Sequence, residues 1–126
     1  MKKQEGFTVV EVFVTLVIAA VLLMGAYQGY GLVISSSADS RNLAEASSIS
    51  YESLRRNMGT APAPCVASSF SDSSRIPASS TLPKPRSMTV AISCPYGTSS
   101  RVSRVTVTLS YGSSGDQVVH ADYARN

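Results

Sequence analysis

The sequence has few of the residue types that build catalytic and metal centres. It contains one histidine, His120, and two cysteines, Cys65 and Cys94, which match none of the CxxC or Cys-His spacings of zinc sites. It also lacks the GxSxG, phosphate-loop, HExxH and EF-hand patterns. A lone histidine on a strand is more often a surface residue than a base or a ligand. We therefore expect no catalytic residue, no metal and no cofactor, in a protein that is not an enzyme.

Charge is also scarce. Charged residues make up 15% of the chain and the net charge is +3, so the totals predict neither a nucleic-acid-binding stripe nor an acidic tail. Beyond residue 58 the basic residues are Arg75, Lys84, Arg86, Arg101, Arg104 and Arg125, and the acidic ones are Asp72, Asp116 and Asp122. A mildly basic, solvated surface explains this excess, and a shallow DNA contact is the weaker alternative.

No charge occurs between Glu11 and Asp39, and the run "VFVTLVIAAVLLMGAY" is apolar on every side of a helix. As a helix, residues 7–34 would extend about 42 Å, which is enough to cross the hydrocarbon layer of a membrane. Lys2 and Lys3 precede the run and predict that its start stays in the cytoplasm while the remainder lies outside. The sequence therefore predicts a single-pass protein of the cytoplasmic membrane.

Glu11 does not fit an ordinary membrane segment, because a carboxylate near the centre of a spanning helix costs roughly 2.5 to 3.5 kcal/mol. A secretory signal cleaved after Ala38 would have an apolar core of only about 7 to 15 residues. A plain anchor, whose Glu11 reaches back to the cytoplasmic headgroups, explains the length of the run. Neither alternative explains the junction of Gly6 with Phe7 or the position of Glu11 five residues after Gly6.

The stretch "KKQEG" followed by "FTVVEV" resembles the prepilin leader of type IV pilins and of the type II secretion and competence pseudopilins. The resemblance covers residues 1 to about 34. It implies that a prepilin peptidase cuts between Gly6 and Phe7 and methylates the new amino terminus, giving N-methylphenylalanine. It also implies that Glu11 pairs with the Phe7 amine of a neighbouring subunit during assembly.

The function that this resemblance implies is that of a structural subunit of a type IV pilus-like filament. The expected partners are the prepilin peptidase, like subunits, the inner-membrane assembly machinery and, before assembly, membrane lipid. The subunit would end in an extracellular or periplasmic filament. Pilus, secretion pseudopilus and competence filament share the leader, so the choice among them stays open; the short, serine-rich globular part favours a minor subunit. The alternative is a monomeric, membrane-anchored binding module for an extracellular ligand.

The chain divides by composition into a leader, residues 1–6; an apolar helix, 7–34; an amphipathic continuation of that helix, 35–58; and a globular part, 59–126. Whether the helix loosens at Gly25, Gly29 and Gly31 is open, because each interior glycine costs about 1 kcal/mol of helix stability. In the continuation, a narrow stripe recurs at spacings of three and four and predicts the face that packs on a sheet: Leu43, Ala46, Ser50, Leu54 and Met58.

The globular part begins with a long Pro- and Ser-rich loop after Gly59. Three strand-like stretches follow, starting at Ser87, Val102 and Asp116, with turn sequences between them that predict an antiparallel meander. The expected fold class is α+β: a long N-terminal helix, transmembrane in its first half, packed on a small C-terminal antiparallel sheet, as in pilins.

Cys65 lies in the loop and Cys94 follows the first of these strands. We expect them to form a disulfide, which persists in an oxidising compartment and would stabilise the domain by roughly 3 to 4 kcal/mol. Two unlinked buried thiols are the alternative.

Overall fold

The structure is a computed structural model that describes residues 8–125, and it confirms the α+β fold class. A long helix is followed by a four-stranded antiparallel sheet in the order β1-β2-β3-β4. The elements are α1 (Val9–Gly59), β1 (Ser68–Ser71), a 3-10 helix (Ser73–Arg75), β2 (Arg86–Ser93), β3 (Val102–Tyr111) and β4 (Asp116–Arg125).

Helix α1 is continuous from Val9 to Gly59, so it does not loosen at Gly25, Gly29 or Gly31. The sequence between the two ends contains no proline, and leucine, alanine, methionine and valine dominate its first half. The cost of three interior glycines, about 1 kcal/mol each, is small beside the uninterrupted hydrogen bonding of the whole helix. A side chain at any of the three glycines would meet open space.

The chain divides into two compact units, Met1–Asp39 and Ser40–Asn126. In the first unit every described residue is exposed. In the second unit, the later turns of α1 pack on one face of the sheet. This packing forms a core of buried apolar side chains: Ala46, Leu54, Ala61, Leu82, Met88, Val90, Ile92, Val105, Val107, Leu109, Tyr111, Val118 and Ala124.

The sheet is a simple meander in which each strand pairs with the next. Strands β3 and β4 pair over their full length, from Val102 opposite Arg125 to Tyr111 opposite Asp116. The apolar pattern of β3 shifts phase near Ser103, but the register has no interruption there. Ser103 itself is buried, so a small polar residue occupies a core position.

Strand β1 is absent from the three strand-like stretches that the sequence predicts. It lies within the Pro- and Ser-rich loop and consists of "SSFS", which has no apolar alternation. Its pairing with β2, from Ser68 opposite Ile92 to Ser71 opposite Thr89, holds it in place. Tertiary hydrogen bonding therefore forms a strand where local propensity is weak.

The predicted helical stripe is largely correct. Ala46, Ser50 and Leu54 are buried, and Met58 is half-buried. Leu43 is 54% exposed, so its assignment to the packed stripe is wrong. The buried face turns instead toward Ser53, which the stripe does not contain and whose hydroxyl finds a hydrogen-bond partner in the loop.

Candidate functional site

Glu11 lies in the first turn of α1, and Thr8 immediately precedes the helix. The backbone N–H of Glu11 donates to the Thr8 carbonyl at 3.0 Å and lies 3.3 Å from its side-chain hydroxyl oxygen. The sequence T-x-x-E at residues 8–11 is the pattern of a capping box, in which the threonine satisfies free N–H groups at the helix start. The pattern indicates a helix that begins just after Thr8, whereas the sequence-based prediction began the helix at Phe7.

Glu11 is the only acidic or basic residue of α1 before Asp39. The hydroxyls of Thr15 and Ser35 donate to backbone carbonyls one turn earlier, at 2.9 and 3.0 Å, so these polar groups are satisfied within the helix. Among residues 8–125, Glu11 makes no ion pair. Its carboxylate is therefore the one charge in this apolar segment that needs a partner from outside the described chain.

The apolar side chains around Glu11 are exposed on all sides of the helix; Phe13 is 69% exposed and Leu22 is 68% exposed. From Val9 to Ile34 the helix is about 39 Å long, against about 30 Å for the hydrocarbon core of a bilayer. By length and composition, α1 is the one helix within residues 8–125 that could cross a membrane. An apolar surface of this extent marks a contact with lipid or protein.

Gly6 and Phe7 lie outside the described residues. Cleavage at Gly6, methylation of Phe7 and the pairing of the Phe7 amine with Glu11 therefore stay predictions.

A second group of contacts fixes the loop of the globular part. Cys65 and Cys94 form a disulfide, and Cys65 is fully buried. The backbone N–H of Cys65 donates to the Ser100 carbonyl at 2.9 Å. The covalent bond and the hydrogen bond together hold the beginning of the loop to the connection between β2 and β3.

Asp72 holds the middle of the loop. It is a buried carboxylate, and the Ser53 hydroxyl of α1 donates to its Oδ2 atom at 2.9 Å. The Arg75 Nε donates to the other oxygen, Oδ1, at 3.0 Å. Burying a carboxylate is costly unless it is paired and hydrogen-bonded, and here both oxygens have donors. No sequence pattern joins Ser53 to Asp72, so the pair could not be predicted.

Glu45 holds the end of the loop. Its carboxylate accepts the Thr81 backbone N–H at 3.0 Å and also accepts the Thr81 hydroxyl. The Thr81 hydroxyl, and then that of Ser80, lower the pKa of the Glu45 carboxyl below its ordinary value because they stabilise the charged form. Two carboxylates thus attach the loop to the helix: Asp72 on the loop and Glu45 on the helix.

His120 is not the free surface residue that the sequence predicts. It lies on β4, is half-buried, and its Nε2 lies 3.1 Å from the Ser47 hydroxyl of α1. Its ring packs edge-on against Tyr51, with centroids 6.0 Å apart and planes at 69°. Within residues 8–125 no group of three or more metal-ligating side chains comes together.

Comparison with known families identifies the N-terminal segment. Residues 1–27 match the family model described as the prokaryotic N-terminal methylation motif. The chain therefore carries the leader signal of type IV pilins and pseudopilins, which confirms the resemblance seen in the sequence. No curated protein and no solved structure gives a significant match. The motif indicates a precursor of a structural protein of this kind rather than an enzyme.

Proposed function

We propose that this chain is a structural subunit, pilin or pseudopilin, of a type IV pilus-like filament. A prepilin peptidase removes residues 1–6, methylates Phe7, and leaves α1 as the element that enters the filament. One observation supports the proposal: residues 9–34 of α1 are apolar and exposed on every side, and their one charge, Glu11, has no ion-pair partner among residues 8–125 and lies within the matched methylation motif.

The charge explains how assembly is controlled. Cleavage would create a second charge, the Phe7 amine, in the same apolar layer as Glu11. In a filament, the amine of an incoming subunit can pair with the Glu11 carboxylate of a subunit already present. Breaking a buried pair of this kind costs about 3 to 5 kcal/mol, so subunits that misalign the two charges are disfavoured.

Membrane lipid covers α1 before assembly, and the helices of like subunits cover it afterwards. The inner-membrane assembly machinery would move the subunit between these two states. The amino terminus then lies on the cytoplasmic side and the globular part outside, consistent with Lys2 and Lys3 before the helix and with a disulfide beyond it.

The test is the mass of the N-terminal peptide, measured on protein from the native host in membranes and in sheared filaments. We expect a chain that begins with methylated Phe7 in both fractions. A chain with an intact leader, confined to the membrane, would overturn the proposal and support the monomeric anchored module instead.

A further inference from the structure

The ten-residue strand β4 is an edge strand of the sheet. Its ten residues pair with β3 without a bulge, and among residues 8–125 no strand pairs with its other side. Val119 is 55% exposed. The strand contains neither proline nor lysine, the residues that commonly block such edges, and its stretch Gln117–Ala121 has no acidic or basic side chain other than His120. A free edge of this kind readily accepts another strand.

The backbone groups that face this edge can be identified. The Asp72 N–H donates to the Met88 carbonyl and the Met88 N–H donates to the Ser73 hydroxyl, each at 2.9 Å, so the backbone of Met88 faces the β1 side of β2. In an antiparallel sheet successive residues bond to opposite neighbours. Met88 is opposite Leu109 in β3, and Leu109 is opposite Val118 in β4. Because the alternation continues across these pairs, the even-numbered residues of β4 bond to β3 and the odd-numbered residues face the open edge.

A separate contact agrees with this assignment. The Tyr123 N–H donates to the Asp122 carboxylate at 2.7 Å and so does not take part in the ladder with β3. Within the described residues 8–125, the outward-facing groups of Val119 and Ala121 have no such side-chain partner. By the same alternation, Ser69 and Ser71 of β1 direct their backbone groups to the opposite edge of the sheet.

We propose that the open edge of β4 binds β1 of a second copy of this chain, with Val119 opposite Ser71 and Ala121 opposite Ser69 of that copy. The sheet has an even number of antiparallel strands, so its two edge strands run in opposite directions. A copy displaced sideways, without being turned over, therefore presents its β1 antiparallel to β4. Copies anchored by the same end are not turned over; this step rests on the proposed function.

The side chains favour this register. It places Phe70 of the second copy opposite His120, on the face of the sheet where His120 contacts Tyr51. Phe70 is 42% exposed and Tyr51 is 52% exposed, so both rings have apolar surface to bury. A shift by two residues in one direction would place Phe70 opposite Asp122, whose carboxylate is a poor neighbour for an apolar ring. A shift by two in the other direction would place Phe70 opposite Val118, which its own chain already buries and which therefore offers little further apolar surface. The contact joins two different surfaces, so it can repeat from copy to copy and extend a filament.

The experiment introduces a cysteine pair, Phe70→Cys with His120→Cys, into the full chain in native membranes, followed by mild oxidation. In the proposed register these positions form a non-hydrogen-bonded pair, whose Cα separation of about 4.5 Å permits a disulfide. Because the contact is heterologous, we expect a ladder of dimers, trimers and larger species. Each single variant is the matched control and should give no ladder.

Adding Ala121→Pro to the double-cysteine variant removes one outward-facing N–H without removing a hydrogen bond to β3. The yield of crosslinked species should therefore fall about tenfold. In the otherwise wild-type chain, a photocrosslinker at Val119 should link to residues 68–71 of a second copy. A crosslinker at Thr108, on the same face but one strand inside, should not. A link from Val119 to another protein or to another region, or equal dimers from the single cysteine variants, would overturn the inference.

The same samples separate this inference from the proposed function. Filaments built from subunits that begin at methylated Phe7, but without a ladder, would refute the β4–β1 contact and leave the filament role intact. An unprocessed chain that is absent from filaments would refute the filament role, whatever the crosslinks show.

Discussion

Residues 9–34 and residues 40–58 belong to one unbroken helix, and only the second stretch has side chains that the chain itself buries. In the second stretch Ala46, Ser50 and Leu54 lie against the sheet, and most of the exposed side chains are polar, with Leu43 and Tyr51 among the exceptions. In the first stretch apolar side chains point in every direction. Local sequence forms the same backbone in both stretches, but the first needs a covering that lies outside the chain.

The two stretches also differ in how their carboxylates, Glu11 and Glu45, are paired. Glu45 has its donors within the chain, from Thr81. Glu11 has no ion-pair partner among residues 8–125. Glu45 therefore helps to hold the fold of its own chain together, whereas the role that we propose for Glu11 is to pair with another subunit. Substitutions of Glu11 and of Glu45 test this distinction.

The largest effect is expected at the cleavage site. Gly6→Val should abolish removal of the leader and Gly6→Ala should impair it, because the peptidase must approach the bond closely at a position without a bulky side chain. The measurement is the mobility of the chain in cells that contain the peptidase. Full processing of the valine variant would refute the cleavage assignment, and the first stretch would then be an ordinary anchor.

Glu11→Val should separate membrane insertion from assembly. The free energy of membrane insertion should become more favourable by up to about 2.5 to 3.5 kcal/mol, while the filament loses its charge pair. We expect processed protein to accumulate in the membrane and its recovery in sheared filaments to fall at least about a hundredfold. Thr15→Val is the matched control, because the Thr15 hydroxyl is already satisfied by the Val12 carbonyl.

Equal incorporation of the Glu11→Val variant would contradict the assembly role. The experiment should use a strain in which this chain is the main component or is needed for filament initiation, since wild-type partners could otherwise carry the variant into the filament.

Loss of the disulfide should weaken only the globular part. Cys65→Ala with Cys94→Ala should lower the free energy of unfolding by about 3 to 4 kcal/mol and leave membrane insertion unchanged. In the wild-type chain, thiol labelling under denaturing, non-reducing conditions should modify neither cysteine. Stoichiometric labelling of both would show that the exported protein lacks the bond.

Ser53→Ala should lower the free energy of unfolding by about 1 to 3 kcal/mol, because the buried Asp72 carboxylate loses the donor to one of its oxygens. Ser48→Ala is the matched control, since Ser48 is an exposed serine on the same stretch of α1. Chemical denaturation of the two variants beside wild type gives the comparison. Equal stabilities would mean that water replaces the Ser53 hydroxyl without loss.

The sequence predicts most of the architecture because periodic patterns carry it. The apolar run, the stripe through Ala46 and Leu54, and the alternation of β3 all depend on neighbours along the chain. Leu43, β1 and the half-burial of His120 are missed because they depend on contacts between distant segments. Ser53 and Asp72 are common surface residues by type, and only the fold brings them together inside the protein. The leader motif is local, which is why the sequence alone identifies it.

The smallest expected effect concerns the attachment of the loop at Glu45. The folded state lowers the pKa of this carboxyl below its ordinary value of 4.5, chiefly through the Thr81 hydroxyl. The stabilisation is therefore fully present above that ordinary value and is lost as the pH falls through the lowered pKa. Because the group is exposed to solvent, we expect it to contribute less than about 1 kcal/mol.

The measurement compares the unfolding free energy of wild type and Glu45→Gln at neutral pH and at a pH below the lowered pKa. Glutamine keeps an acceptor for the Thr81 donors but carries no charge. The other titrating groups are the same in both proteins, so their contributions to the pH dependence cancel in the comparison. The wild type should be the more stable at neutral pH, and the difference should vanish in acid, where the Glu45 carboxyl is protonated. A difference that persists unchanged in acid would show that Glu45 acts through packing, and that its charge does not help to hold the loop on the helix.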